Sequence, residues 1–235
     1  MTSGERANDY DAFALAYTRD NENNAWNAYY ERPASLALLG DVAGQRVLDA
    51  GCGAGAHAEA IIRRGASVTG LDSSAALLAI ARQRLGAQVP LHLADLAQPL
   101  PFAPGSFDTV LASLVMHYLQ DWSLTLAEFR RVLVPGGALV ISTHHPFMDH
   151  TLAGGPDYFA TYEFSEEWTK GGQSVAMRFW HRPLHAMTGA FRTAGFTLDV
   201  VAEPQPDQAA ESLFPADYAV LSTSPRFLFF RLIAP

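Results

Sequence analysis

Glycines at every second position follow an acidic residue in the stretch 47–55, whose sequence is VLDAGCGAG. An apolar run precedes the acid, and a run compatible with a helix follows from residue 56 to residue 64. Glycine permits positive φ and lets a ligand approach the backbone closely. The start of a helix offers free N–H groups and a partial positive charge. A strand, a glycine turn and a helix in this order predict an anion-binding corner.

Two classes of ligand use such a corner. Gly51-x-Gly53-x-x-Ala56 satisfies the dinucleotide fingerprint, and Asp72 follows Gly51 by about the 20 residues that the fingerprint requires. Asp49, before the first glycine, instead suits a ligand with an ammonium and a sulfonium group, and suits a pyrophosphate less well. The loop by itself is compatible with both ligands, and also with a glycine-rich turn that binds nothing.

The composition favours a small-molecule ligand. The chain has 235 residues, 49% of them apolar and 17% charged, which is typical of one soluble globular domain. A net charge of −8 without a long Lys/Arg run argues against nucleic acid. The start of the sequence lacks an apolar signal core, and no apolar run approaches bilayer length, so we expect no membrane partner. Cys52, the single cysteine, excludes an internal disulfide and fits a reducing cytoplasm. The oligomeric state is left open.

Strand-like and helix-like segments alternate regularly from residue 46 onwards. The pattern predicts helices over 56–65, 74–86 and 183–194, and a further helix that closes at the Pro-Gly-Gly sequence 135–137. The predicted strands are 46–50, 67–71, 91–94, 107–112, 138–143, 196–202 and 227–233. Strands separated by helices of this length predict a parallel sheet with right-handed crossovers.

We expect a single domain over 1–235 with four parts: a helical cover (1–40), a core (41–146), an insertion (147–182) and the C-terminal part of the sheet (183–235). In the cover, Tyr10, Phe13 and Tyr17 share one helix face, and the run 20–24 is expected to be a loop. The cover is interpreted either as two packed helices or as a mobile lid. The insertion is expected to contain strands over 158–164 and 174–180, and 204–214 is expected to lie at the surface.

Later motifs favour one of the two ligand classes. Asp72 lies at the end of strand 2, Ala94-Asp95-Leu96 ends strand 3, and the segments 106–110, 114–119 and 130–137 follow in order. Together with Asp49-x-Gly51-x-Gly53-x-Gly55, these motifs resemble the class I S-adenosylmethionine-dependent methyltransferases of the small-molecule, methyltransferase type 11-like kind, over residues 47–143. A nicotinamide enzyme has no reason to carry Asp95-Leu96 or the Pro-Gly-Gly turn.

This resemblance implies an α/β fold: a Rossmann-like, mostly parallel sheet of seven strands with helices on both faces and an antiparallel last strand. The site would lie at the carboxyl edge of the sheet, and S-adenosylmethionine would be the cofactor. Residue by residue, the resemblance places Asp49 near the methionine ammonium and Ser113 beside the methionine moiety, with Tyr17 in a lid contact to the cofactor carboxylate. It places Asp72 and Ser73 at the ribose, and Asp95 and Leu96 around the adenine. Against the cofactor it places the glycines Gly51, Gly53 and Gly55.

The implied activity is methyl transfer to O, N or C of a small metabolite by in-line displacement. Positioning and exclusion of water are the main tasks of such an enzyme, and a base is needed only where the acceptor starts protonated. The alternatives are an NAD(P)-dependent oxidoreductase and a cofactor-binding protein without catalysis.

Three histidines are candidates for contact with the substrate. His145 follows strand 5 and precedes a proline, which favours an extended backbone there. His117 follows strand 4, and His181 closes the insertion. His57 and His92 are interpreted as structural. No metal site is expected, because adjacent histidines on an extended segment, such as 144 and 145, point to opposite sides.

Overall fold

The computed structural model describes residues 8–155, 157–170 and 172–235. Residues 1–7 of the predicted cover and residues 156 and 171 of the predicted insertion therefore lie outside the described residues. The strands are β1 Arg46–Ala50, β2 Ser67–Asp72, β3 Leu91–Leu93, β4 Phe107–Ser113, β5 Leu133–His144, β6 Tyr162–Lys170, β7 Gln173–His181, β8 Thr197–Ala202 and β9 Phe227–Ile233. The helices are α1 Ala14–Asn23, α2 Arg32–Leu39, α3 Ala56–Arg63, α4 Ala75–Leu85, α5 Ser123–Val132, α6 Pro146–Ala153, α7 Leu184–Thr193, α8 Ala209–Leu213 and α9 Pro215–Leu221.

A mixed sheet of seven strands organises the described part of the chain, in the order β3-β2-β1-β4-β5-β9-β8. The neighbours from β3 to β5 pair in parallel, whereas β9 is antiparallel to both β5 and β8. The predicted fold class is confirmed, including the antiparallel last strand. The division into four parts stays a prediction.

Successive residues of the central strand β1 pack into two different hydrophobic cores, because side chains alternate between the faces of a sheet. Val47 packs with apolar side chains of α2 and α3, whereas Leu48 packs with those of α5 and α7. Both residues are fully buried. Helices therefore cover both faces of the sheet, and the carboxyl edge remains for a site.

Several predicted boundaries differ from the structure. β5 begins at Leu133 instead of residue 138, because the chain pairs once at Phe107↔Leu133 and resumes at Thr109↔Ala138 after a bulge around the Pro-Gly-Gly sequence. The insertion contains α6 and an antiparallel β6–β7 hairpin, so the predicted strands 158–164 and 174–180 are shifted. The region 204–214 lies mostly at the surface, as expected, and contains the short helix α8.

The N-terminal segment is helical almost without interruption. A short 3-10 turn, Tyr10–Ala12, precedes α1, and a π-helical turn, Asn27–Glu31, leads into α2. The predicted loop at 20–24 is wrong for four of its five residues, because α1 continues to Asn23. The break falls at Asn24, which is extended and whose Oδ1 accepts the Asn27 N–H at 2.7 Å. Capping by an asparagine side chain explains why the chain restarts as a helix there.

Replacement of Phe191 tests the core beneath α7. This ring is 1% exposed and lies 5.0 Å from the ring of Phe230 and 5.9 Å from that of Trp122, measured between centroids. Phe191→Ala should lower the free energy of unfolding by about 3–5 kcal/mol, since it leaves a cavity. Phe159→Ala is the matched control, because that ring is 71% exposed. Urea unfolding measures both, and equal losses would contradict the assigned packing.

Candidate functional site

A cleft of about 210 Å³, partly open to solvent, lies at the carboxyl edge of the sheet. Residues at or just beyond the ends of β1, β2, β3 and β4 line it, and the N-terminal segment closes one side. Eight of the ten predicted cofactor residues are among its lining residues: Tyr17, Gly51, Gly53, Asp72, Ser73, Asp95, Leu96 and Ser113. Asp49 and Gly55 are not among the lining residues.

The glycine loop needs its glycines for two different reasons. Gly51 has a φ of +82°, and a Cβ there would lie 2.8 Å from Cγ2 of Val115. Gly55 precedes α3, and its Cβ would lie 3.0 Å from Cδ1 of Leu85 on α4. Gly51 therefore allows a close approach at the cleft, whereas Gly55 allows α3 to pack on α4. Burial raises the pKa of the Cys52 thiol, which argues for packing rather than nucleophilic chemistry.

Asp72 braces the loop from the end of β2. Its Oδ2 accepts the Gly53 N–H and its Oδ1 accepts the Ser74 N–H, both at 2.8 Å. Burial raises the pKa of this carboxyl, and the backbone N–H donors oppose that rise. Each carboxylate oxygen has more than one acceptor site, so Asp72 can also accept hydrogen bonds from a ligand in the cleft.

The Asp95-Leu96 pair forms the rim of the cleft beyond β3. Asp95 is exposed, and its Oδ1 accepts the Ala97 N–H at 2.8 Å, which makes a local turn. Leu96 is only 6% exposed, and its carbonyl accepts the Thr125 hydroxyl at 2.8 Å. An exposed acid thus stands beside an apolar side chain at the end of the cleft.

Asp49 lies behind the loop and is 1% exposed. Its Oδ2 has no hydrogen-bond partner among the described residues. Burial raises the pKa of this carboxyl to about 6; the charge of His57 opposes the rise, and that of Asp72 adds to it. An orphaned carboxylate oxygen next to a ligand cleft is a site where a cation would be stabilised.

Two lining residues, Glu31 and His57, were missed by the sequence analysis, which interpreted His57 as structural. Glu31 Oε1 accepts the hydroxyls of Ser35 at 2.6 Å, Ser113 at 2.7 Å and Ser142 at 2.6 Å. His57 Nε2 lies 3.0 Å from Glu31 Oε2, as an ion-pair contact rather than an aligned hydrogen bond. The i, i+4 spacing of Glu31 and Ser35 is the sequence signal that could have revealed this carboxylate.

The three candidate catalytic histidines are not among the lining residues of the cleft. His145 Nε2 lies 2.9 Å from Glu203 Oε1. His181 is fully buried, and its Nε2 lies 2.8 Å from the carbonyl oxygen of Tyr158. His117 is 3% exposed and stacks on His144 with ring centroids 3.8 Å apart. Burial lowers the pKa of His117 well below its usual value, so that ring is neutral at pH 7.

An aromatic roof stands over the cleft. We use this name for Tyr10, Phe13, Tyr17, Tyr118 and Phe179, which belong to one apolar cluster contributed by the N-terminal segment, the turn after β4 and the hairpin. The hydroxyls of Tyr10 and Tyr118 are hydrogen-bonded to each other, and the Tyr10 and Tyr17 rings meet edge to face at 4.8 Å. The three tyrosines line the cleft.

Two polar side chains hold the N-terminal segment beside this roof. The Asn8 side chain pairs with the backbone of Arg178, accepting its N–H at 2.8 Å and donating to its carbonyl at 3.0 Å. Asp11 Oδ1 accepts the Ser74 hydroxyl at 2.5 Å and the Ala76 N–H at 3.0 Å, at the start of α4. The segment is therefore held at both the hairpin and the core; its mobility stays a prediction.

The residues that the structure describes contain no group of three His, Cys, Asp or Glu side chains placed to hold a metal ion. Nor do they contain a helix both long enough and apolar enough to cross a membrane.

Comparisons with known proteins identify similar chains. A family model described as a methyltransferase domain matches residues 48–141. A demethylmenaquinone methyltransferase from Tropheryma whipplei is 36% identical over 134 residues, which is 56% of each chain. A malonyl-(acyl-carrier protein) O-methyltransferase from Serratia marcescens is 37% identical over 147 residues, which is 61% of this chain and 56% of that protein.

A solved structure covers more of the chain. It is an S-adenosylmethionine-dependent methyltransferase from Mesorhizobium loti, 28% identical, with a TM-score of 0.68 over 91% of this chain and 100% of that one. By contrast, this chain spans little more than half the length of the curated relatives that it matches.

Asp49 should make the protein less stable as the pH rises. Its pKa of about 6 lies above the value of about 3.9 expected in the unfolded chain, so ionisation costs the folded state free energy between these two pH values. Asp49→Asn should therefore raise the free energy of unfolding by about 1–3 kcal/mol at pH 8, and far less at pH 4.5. Urea unfolding at both pH values measures this difference.

The matched control is Asp199→Asn, which changes an exposed carboxylate that lies 3.3 Å from Arg231. It should shift stability by at most about 1 kcal/mol. A loss of stability in Asp49→Asn at pH 8 would contradict the assigned cost of the buried charge.

Proposed function

We propose that the chain is a class I S-adenosylmethionine-dependent methyltransferase, which binds S-adenosylmethionine in the cleft and transfers the methyl group to a small acceptor molecule. The observation that carries this proposal is the buried acid behind the glycine loop. Asp49 has an orphaned oxygen there, and Glu31 and Asp72 add negative charge that is opposed by Arg32 and His57, which also line the cleft. A ligand with an ammonium and a sulfonium group would bring positive charge to the orphaned oxygen of Asp49.

The remaining parts of the cleft suit the rest of this cofactor. We assign the ribose hydroxyls to Asp72, with Ser73 beside it, and the adenine to Asp95 and Leu96. Backbone N–H groups donate to both oxygens of Asp72, and each of these oxygens can accept further donors. Asp95 is exposed at the rim next to buried Leu96. A polar group and an apolar plane are what a purine ring with an amino group requires.

We assign the methionine part to the loop and the N-terminal segment. Gly51 and Gly53 offer backbone approach, and Ser113 and Tyr17 line the same cleft. Arg32 also lines it, and its Nε is buried without a hydrogen-bond partner among the described residues. A carboxylate would satisfy that donor, since guanidinium groups bind carboxylates well. Asp49 would act through its charge, because it lies behind the lining, and Gly55 through helix packing.

The residues of the chain would contribute mainly geometry. S-adenosylmethionine supplies a methyl group bonded to a sulfonium, which is already a good leaving group. The aromatic roof would exclude water and orient the acceptor, which is the larger part of such catalysis. Among the three candidate histidines, His117 contacts a lining residue: its ring centroid lies 4.6 Å from that of Tyr118. We therefore place His117 before His145 and His181 as a group that acts near the acceptor.

The acceptor atom can be oxygen, nitrogen or carbon. The two relatives described above are named for different acceptors, demethylmenaquinone and malonyl-(acyl-carrier protein). We expect the part of the chain that matches them to serve the cofactor rather than one acceptor. We expect the enzyme to work in a reducing compartment such as the cytoplasm, since its only cysteine is a buried free thiol.

A dinucleotide is the competing ligand for this corner. Asp72 would bind a nicotinamide dinucleotide ribose equally well. Asp49 argues against it, because a carboxylate behind the loop repels a pyrophosphate, whereas it attracts an ammonium group.

Thermal shift assays distinguish the two ligands. S-adenosylmethionine or S-adenosylhomocysteine at about 100 times its dissociation constant should stabilise the protein by about 2.7 kcal/mol. For a chain of this size that corresponds to an increase in Tm of about 5–10 °C. NAD and NADP at the same concentration should leave Tm unchanged. Stabilisation by the dinucleotides alone would refute the methyltransferase proposal, and binding of S-adenosylmethionine without turnover on any acceptor would favour a non-catalytic protein.

Replacement of Asp72 tests the ribose assignment. Hydrogen bonds to a charged group contribute about 1.5–3 kcal/mol, so Asp72→Ala should weaken S-adenosylhomocysteine binding by about 10- to 150-fold. Asp199→Ala, on the edge strand β8, should bind as the wild type does. Calorimetry measures both affinities, and circular dichroism confirms that each variant is folded. Unchanged affinity in Asp72→Ala would remove this residue from the site.

A further inference from the structure

Glu31 joins the N-terminal segment to the core through a single buried carboxylate that is 1% exposed. Its Oε1 accepts three hydroxyl hydrogens, from Ser35 on α2, Ser113 at the end of β4 and Ser142 on β5. His57 on α3 lies against its other oxygen at 3.0 Å. Elements more than a hundred residues apart in sequence therefore meet at one side chain.

Glu31 is ionised despite its burial. Burial opposes the charge, but His57 and the hydroxyl donors outweigh it and lower the pKa of this carboxyl to about 2. An ionised carboxylate is an acceptor only. Each serine must therefore donate its single hydroxyl hydrogen to it, which fixes the direction of every hydroxyl in the network.

Through Ser142, this fixed hydroxyl direction also constrains the chain directly after β4. Its hydroxyl donates to Glu31 at 2.6 Å, so only its oxygen lone pairs are left for other partners, and they accept the Leu114 N–H at 3.0 Å. The Ser142 carbonyl accepts the same N–H, also at 3.0 Å. The Leu114 N–H is thus held by two acceptor atoms of Ser142. Glu31 determines the orientation of the Ser142 hydroxyl.

Leu114 needs such a constraint, because its backbone is in a conformation that leucine rarely adopts. Its φ is +46°, in the left-handed region that favours glycine. A strained residue of this kind persists only where its surroundings over-determine it, and such residues cluster at functional sites. Leu114 and Val115 both line the cleft.

The turn at Leu114 places Val115 on the glycine loop. Val115 Cγ2 occupies space only 2.8 Å from the position of a Cβ on Gly51. The neighbouring Ser113 donates to Glu31 as well, at 2.7 Å. Glu31 therefore constrains Ser113 directly and the Leu114 N–H through Ser142, and thereby the start of the wall that faces the loop.

We propose that Glu31 is a positioning residue: it holds Leu114 in its left-handed conformation so that Val115 seats against Gly51, and it thereby makes the affinity of the cleft depend on the N-terminal segment. The π-helical turn Asn27–Glu31 is the part of that segment that delivers the carboxylate, and such turns recur at functional sites. The inference rests on the proposed function, because the ligand used to measure affinity is S-adenosylhomocysteine.

Two measurements test the proposal with Glu31→Gln, Ser142→Ala and the double variant. Ser35→Ala is the matched control, since it removes a donor to the same oxygen but lies on α2, away from the turn. Without ligand, the amides of residues 114–118 should exchange at least about 10-fold faster in the first three variants and at the wild-type rate in Ser35→Ala. With ligand, calorimetry should show affinity about 10-fold weaker in Glu31→Gln and in Ser142→Ala but not in Ser35→Ala, and the double variant should lose much less than the product of the two single losses.

A rescue experiment separates positioning from direct contact. Glycine adopts the left-handed backbone without strain, so Leu114→Gly added to Glu31→Gln should recover part of the lost affinity. Failure to recover any affinity would overturn the proposal in favour of a direct contact between Glu31 and the ligand. Equal effects in Ser35→Ala and Glu31→Gln, or normal exchange in Glu31→Gln, would overturn it as well. If Glu31→Gln does not fold, Ser142→Ala and Ser142→Ala/Leu114→Gly carry the same comparison.

Failure of the proposed function gives a different result. A wild-type protein that binds neither S-adenosylmethionine nor S-adenosylhomocysteine would refute the cofactor assignment, whereas the exchange measurement needs no ligand and still decides whether Glu31 holds the turn.

Discussion

The concentration of negative charge behind the glycine loop is the constraint on which the rest of the site depends. Glu31, Asp49 and Asp72 are all withdrawn from solvent, and their charges influence one another. The ionised form of each is stabilised differently: that of Glu31 by hydroxyls and His57, and that of Asp72 by backbone N–H groups. The ionised form of Asp49 is stabilised so weakly that the pKa of this carboxyl is about 6. A buried charge of this kind lowers the stability of the fold, and a cationic ligand would offset that loss.

The same constraint explains why the N-terminal segment is part of the site. Glu31 comes from this segment, so the core obtains part of its buried charge only when the segment is docked. Docking in turn builds the aromatic roof, because Tyr10 and Tyr17 meet Tyr118 and the hairpin above the cleft. The buried charges at the cleft and the aromatic roof above it are therefore parts of one assembled unit.

The succession of strands along the chain and the positions of Asp72 and Asp95 at strand ends were predictable from the sequence, because parallel strands end at a common edge and motifs at those ends must converge. Local choices were less predictable. The run at 20–24 contains residues that favour loops, yet only Asn24 breaks the helix, since its side chain caps the next turn. His145 was expected near the acceptor, but its ring lies against Glu203.

By itself, the sequence determined the alternation of strands and helices, the glycine turn after the first strand and the acids that follow the strands, because these depend on short-range periodicity and on spacing along the chain. Only the tertiary structure decided which carboxylate meets which partner. Glu31 reaches Ser113 and Ser142 across 82 and 111 residues of sequence, and Asp49 acquires its raised pKa from burial. Neither effect has a local signature, since burial and long-range hydrogen bonds exist only once the helices have packed on the sheet.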